Sequence, residues 1–303
     1  MYAKPMKSKT LLSSAVALLC LLLRFSAQAL DILTTTASLG ALSREIGGDQ
    51  VKVSVMAPPD RDPHDLTAKP SLLSLARSAD GLVSIGAGLE EGWLPAVLEQ
   101  AGNPRIQPGQ PGALIATQHV ELIKETREGN PFFGHIHKQG NPHIHMDPVR
   151  MASVATALGE WLAHLDTPHA AEYRSRAQQS AQRLLAFSQK ASAQLQGAPG
   201  VVLYHEDALY FLTRFNIPLL GTLEPSPGVP PSATHLQELI QALRGKRGMV
   251  IRAPYQADDG AAMLAHELGW KAVALPMEPA ANTDLQGYLA MLELWVSALA
   301  KQP

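Results

Sequence analysis

Four of the chain's eleven histidines fall within the twelve residues GHIHKQGNPHIH, positions 134–145. Near neutral pH an uncharged imidazole is the commonest side-chain ligand for Zn²⁺ and other borderline divalent ions. Two further histidines stand at telling places. His64 follows a proline in PPDRDPHDLTAKPS, and His205 ends the apolar run VVLYH. The gaps separating His64, His143 and His205 match no local zinc motif, and H-E-x-x-H is absent. What unites these three is position, since each stands where an expected strand or turn ends. His119, His164, His169, His235 and His266 sit among ordinary neighbours, four of them in helical patterns, and read as surface or half-buried residues.

An ion held by three neutral rings wants an oxygen donor as well. Glu278, in ALPMEPAANTD, comes two residues after the last expected strand, and Glu224, in GTLEPSPG, follows another. Three imidazoles and one carboxylate suit tetrahedral Zn²⁺, whereas two of each lean toward Mn²⁺. Thiolate is excluded once the leader is removed, because Cys20 is the only cysteine. A hydrolytic zinc site would need an open position and a nearby base. Glu206 beside His205 is the nearest candidate, but neighbours on a strand point to opposite faces. The chain also lacks a P-loop, a G-x-G-x-x-G following a strand, and G-x-S-x-G.

The elements that must position these residues alternate strand and helix. DILTTT (31–36), VKVSVMA (51–57) and GLVSIGA (81–87) read as strands, with helices at 37–48 and 71–79. GVVLYH (200–205), IPLLG (217–221), GMVIRA (248–253) and KAVALP (271–276) read as a second set, with helices at 232–245 and 258–269. Such alternation predicts an α/β fold with mostly parallel sheets. Between the sets, residues 147–165 are amphipathic, and 167–197 form a run that opens on Thr167-Pro168 and closes on Gly197. The second run predicts one rigid helix of roughly 43 Å. The organisation expected is therefore a leader (1–29), an N-terminal lobe (30–165), a linking helix (166–197) and a C-terminal lobe (198–303). The site would lie in the cleft between lobes, at the C-terminal ends of the strands.

The leader reads as an export signal. Lys4, Lys7 and Lys9 precede an apolar run from Leu11 to Leu23, and Ala27-x-Ala29 supplies small residues for cleavage after Ala29. Losing Lys4, Lys7, Lys9 and Arg24 takes the basic count from 25 to 21 against 27 acidic residues. That acidic balance, with no basic patch, argues against nucleic acid as a partner.

Four segments in order resemble the zinc/manganese solute-binding proteins of bacterial ABC importers, the TroA-like family with a helical backbone. They are LDILTTTASLGALSREIGGDQVKVSVMAPPDRDPHDLTAKPS, NPHIHMDPVRM, VVLYHEDALYFLTRFNIPLLG and IRAPYQADDGAAMLAHELGWKAVALPMEP. The resemblance spans essentially the whole chain after the leader. It implies two lobes on a backbone helix, with the metal bound by His64, His143, His205 and Glu278. It further implies a periplasmic monomer that delivers Zn²⁺, or less readily Mn²⁺, to a permease driven by a cytoplasmic ATPase. A metal chaperone or adhesin of the same fold is the alternative. The sequence departs from the family pattern in three ways. His145 stands where an aromatic or apolar residue is usual, the closing carboxylate is Glu rather than Asp, and the histidine-rich loop shrinks to a stretch bearing His135 and His137. His145 is expected to line the site, and His135 and His137 to belong to a loop above it. Affinity should fall below about pH 6.5, where free imidazole protonates.

Overall fold

The computed structural model describes residues 29–124, 137–226 and 228–300. The expected leader, up to residue 28, and His135 lie outside the described residues.

Two four-stranded parallel sheets carry the fold. The first contains Leu30–Thr34 (β1), Val51–Val55 (β2), Gly81–Ser84 (β3) and Ala113–Ile115 (β4), in the order β2-β1-β3-β4. The second contains Gly200–Leu203 (β5), Leu219–Thr222 (β6), Gly248–Arg252 (β7) and Lys271–Ala274 (β8), in the order β6-β5-β7-β8. The two halves thus repeat one topology. In each, the chain turns from one side of the first strand to the other, the arrangement that opens a crevice at the strands' C-terminal ends.

The strand sequences show why both sheets are covered on both faces. β3 (GLVS) and β5 (GVVL) are buried along their whole length, as central parallel strands require. Successive residues supply different cores. Ile32 and Val83 face the central core, whereas Leu33 and Leu82 face an outer cluster with Trp93 and Val97. Val201, Leu203, Met249 and Ile251 face the same central core, whereas Val202 and Val250 face a second outer cluster with Leu236 and Leu264. One continuous apolar core therefore joins the two sheets.

Among the described residues there are nine α-helices. Ala37–Gly47 (α1), Pro70–Ser78 (α2) and Leu94–Ala101 (α3) accompany the first sheet. Pro148–Leu165 (α4) and Ala170–Gln194 (α5) run between the sheets. Leu209–Arg214 (α6), Ala233–Leu243 (α7) and Asp259–Leu268 (α8) accompany the second, and Leu285–Ala300 (α9) closes the described residues. No described helix is long and apolar enough to cross a membrane.

The long helix starts three residues later than the sequence suggests. Thr167–His169 form a 3₁₀ turn instead, because the Asp166 carboxylate accepts from His169 Nδ1 (2.6 Å) and from Tyr173 Oη (2.7 Å) and tightens the entry. The 25 residues of α5 span about 37 Å at the usual rise. Its buried stripe, Tyr173, Ala177, Ser180, Leu184, Ser188 and Ala191, follows the helical period. β4, α3 and α9 are elements that the sequence reading did not anticipate. α9 packs back onto α1 and α5, so the last described helix rests on the first described one.

Candidate metal centre

The rims of both sheets converge on one group of imidazoles. His64 lies in the loop after β2. Its backbone N–H donates to Asp62 Oδ1 (2.9 Å), and its ring Nδ1 meets the same oxygen at 2.6 Å. Trp93 Nε1 donates to the carbonyl of Pro63 (2.9 Å) and pins the loop from beneath. His205 stands in extended conformation just past β5, with its Nδ1 2.9 Å from Glu224 Oε2. Because an ionised carboxylate only accepts, each of these rings carries its proton on Nδ1 and turns Nε2 to the centre.

His143 is set by the residues around it. Asn141 Oδ1 accepts its backbone N–H at 2.9 Å, while Asn141 Nδ2 donates to the carbonyl of Glu206 at 2.8 Å. Tyr210 Oη donates to the Asn141 carbonyl at 2.7 Å, so the turn is tied twice to the second half of the chain. Asp147 then caps α4 by accepting from the Val149 N–H at 2.8 Å.

His64, His137, His143 and His205 each offer a ring nitrogen, and these four atoms lie within 4.8 Å of one another. All four residues are buried. His64 Nε2 and His137 Nε2 are 3.1 Å apart. A zinc tetrahedron with Zn–N bonds of about 2.05 Å has edges of about 3.3 Å, so modest inward shifts would complete the geometry. His143 is 3% exposed, and its ring Nε2 has no hydrogen-bond partner. A buried ring nitrogen left unmatched costs free energy unless something else uses its lone pair.

Of the four ligands that the family resemblance implied, three meet here and Glu278 stands elsewhere. Its Oε2 accepts the Ser38 backbone N–H at 2.6 Å, and its Oε1 accepts from Ser38 Oγ at 3.2 Å. α1 has no side-chain cap of its own and no acidic residue in its first turn. Glu278 supplies from far along the chain the acceptor that this helix start lacks. Burial nonetheless pushes its carboxyl up to about 8, against the pull of the Ser38 hydrogen bonds. His145 is buried beside it, with Nε2 3.7 Å from Glu278 Oε1, and its ring centre is 5.9 Å from that of His143. Burial lowers His145 to about 4, keeping the ring uncharged.

His137, expected in a loop above the site, is 4% exposed and belongs to the group. The signal for it lay in the sequence: His135-x-His137 precedes His143-x-His145 with a glycine between. Nothing local said which pair reaches inward. Glu224, a rival ligand on the sequence, lies behind His205 instead.

Burial and charge set the rings of the group apart. Burial holds His143 well below the ordinary histidine range, and repulsion from His64, His205, His145 and His137 adds to it. His205 differs. Burial disfavours its charged form, but the Glu224 hydrogen bond and the charges of Asp207, Glu224 and Asp62 outweigh this and raise it to about 9. Asp62 drops to about 2, because the hydrogen bonds and charge of His64 overcome the burial that would raise it.

This geometry has relatives. Residues 32–302 match the family model of the zinc-uptake complex component A, periplasmic, ZnuA. The chain belongs to the ZnuA family. It is 25% identical over 248 residues to the high-affinity zinc uptake system protein ZnuA of Yersinia pestis, covering 77% of each chain. A crystal structure of ZnuA superposes with a TM-score of 0.74 at 24% identity, over 90% of this chain and 98% of that one. The laminin-binding protein Lmb of Streptococcus agalactiae, described as a bifunctional adhesin with metal-transporting activity, superposes with a TM-score of 0.72 at 20% identity, over 90% and 99%. As a ZnuA-family member, the chain is a periplasmic zinc-binding component of a zinc-uptake system, and Zn²⁺ is its cargo.

Proposed function

We propose that the chain binds one Zn²⁺ through His64, His137, His143 and His205 and hands it to a membrane permease powered by a cytoplasmic ATPase. It would act as a monomer, after cleavage of the leader behind Ala29. The observation that carries the ligand assignment is the unmatched, buried Nε2 of His143 inside a group of four imidazoles. Glu278 is left outside the set because its two oxygens serve Ser38. Four protein donors fill a zinc tetrahedron and leave no position for a reactive water, which favours carriage over hydrolysis. Three donors come from the first half of the chain and His205 from the second. Release then needs only a small separation at the rim, which suits two sheets sharing one core.

The test is zinc titration of the metal-stripped chain from Leu30 against a chromogenic chelator. One tight Zn²⁺ per chain is expected. His143→Ala and His137→Ala should each weaken binding at least tenfold, while Glu278→Gln stays within threefold of wild type. A reversal, with His137→Ala neutral and Glu278→Gln defective, would replace His137 by Glu278 in the set. Binding untouched by His143→Ala would overturn the site.

A further inference from the structure

A divalent ion among four neutral imidazoles keeps its full charge of +2 in a buried place, where an uncompensated charge is costly. Two carboxylates stand directly behind the donors. Asp62 Oδ1 holds the backbone N–H and ring Nδ1 of His64 at 2.9 and 2.6 Å. Glu224 Oε2 holds His205 Nδ1 at 2.9 Å and the Gly228 N–H at 3.0 Å. Glu224 is itself fixed, since Thr222 Oγ1 donates to its carbonyl at 2.7 Å. One of these residues follows a strand of the first sheet and the other a strand of the second, so each half brings one ring backed by an anion.

Building on the four-imidazole reading, we propose that Asp62 and Glu224 are the positioning residues of the zinc site and together carry its counter-charge through the imidazole rings. Each fixes the tautomer that bares Nε2, and each places one negative charge a ring's width from the ion. Two such charges offset the ion's two. Asp207, whose charge also acts on His205, gives one oxygen to Gln256 Nε2 at 3.0 Å, and Glu278 accepts from Ser38. Outer carboxylates of this kind raise ligand basicity, and their loss typically weakens metal binding about 10–100-fold.

Amide variants separate charge from geometry. In Asp62→Asn and Glu224→Gln the remaining oxygen can still accept from both of its present donors, so the rings stay oriented while the charge goes. Each should bind Zn²⁺ about 10–100-fold more weakly in the chelator titration. Their Co²⁺ complexes should keep the absorption of a tetrahedral site. Asp62→Ala and Glu224→Ala should lose more affinity and alter that absorption, because the ring is then free to turn. Asn and Gln variants within threefold of wild type would overturn the counter-charge role. Alanine variants no worse than their amides, with an unchanged Co²⁺ spectrum, would overturn the positioning role. His143→Ala in the same series keeps the two readings apart. If it abolishes binding while the amides do nothing, the ligand set stands and this proposal falls. Should Glu224 variants fail to fold, the pair at Asp62, on an outer loop, decides.

Discussion

Asp147 and Arg214, 67 positions apart, face each other as a two-pronged pair, with Nε–Oδ1 at 2.9 Å and Nη2–Oδ2 at 2.8 Å. The carboxylate is fully buried, caps α4 and also accepts from Arg150 Nη1 at 2.5 Å. The pair fastens the turn bearing His143 to α6 in the other half. Asp147→Ala leaves the part-exposed guanidiniums of Arg214 and Arg150 without their shared acceptor and α4 without its cap. It should therefore cost about 2–3 kcal/mol of unfolding free energy in a urea titration. A loss under about 1 kcal/mol would show that the pair is not a fastening.

Zinc binding should expel a proton from His205. With its ring raised to about 9, the metal-free residue is protonated at pH 7.5, and zinc needs Nε2 bare. Apparent affinity should rise with pH up to about 9. Calorimetry at pH 7.5 in two buffers of different ionisation enthalpy should report about one proton or more released per zinc. Identical enthalpies in both buffers would refute it.

The metal-free protein should be less heat-stable at pH 9 than at pH 6.5. A raised histidine contributes stability that is complete below its unfolded value of about 6.5 and fades as pH passes about 9. Asp207 and Glu278 act in the same direction. Burial raises them to about 7 and about 8, so ionising them in the fold costs more than ionising them in the open chain. Saturating zinc should flatten the trend, since it removes the His205 proton on binding. Thermal unfolding at both pH values, with and without metal, checks this; a flat metal-free profile would contradict it.

Gly88 should be intolerant of side chains. Its φ is +90°, and an added Cβ would sit 3.2 Å from His137 Nδ1 and 3.5 Å from Glu91 Oε2. Gly88→Val combines backbone strain of about 1–3 kcal/mol with displacement of the ring. Its zinc affinity should drop toward that of His137→Ala although no donor is removed. Wild-type affinity would mean that His137 tolerates the shift or contributes nothing.

Much of this molecule could be read from its sequence, and the misses have physical causes. Strand-helix alternation yields seven of the eight strands and the two parallel sheets, because continuous apolar runs mark buried parallel strands. The three-residue β4 is too short to leave a pattern. α9 did leave one: Leu285, Tyr288, Met291, Leu292, Trp295, Val296 and Leu299 recur at helical spacing. His64, His143 and His205 were legible from their places at strand and turn ends. His137 was not, because its approach depends on the path between β4 and α4. There the Gly140 N–H donates to the His137 carbonyl and the Asn141 N–H to that of Ile123, each at 2.9 Å. Glu224 and Glu278 stand at similar rims. Only tertiary partners, His205 for one and Ser38 for the other, reveal which way each turns.

The seating of α9 on α1 sets an order of events for a protein that matures in the periplasm. Any chain that emerges N-terminus first delivers α1 more than two hundred residues before α9, which packs on it. Until that last helix arrives, part of the first half keeps an uncovered apolar side, and its native contacts wait on the most distant segment of the sequence. Completion of the fold is thereby tied to the arrival of α9. The same dependence makes the C-terminal helix a poor place to trim: a version stopping before Leu285 would strip α1 and α5 of the packing that α9 provides.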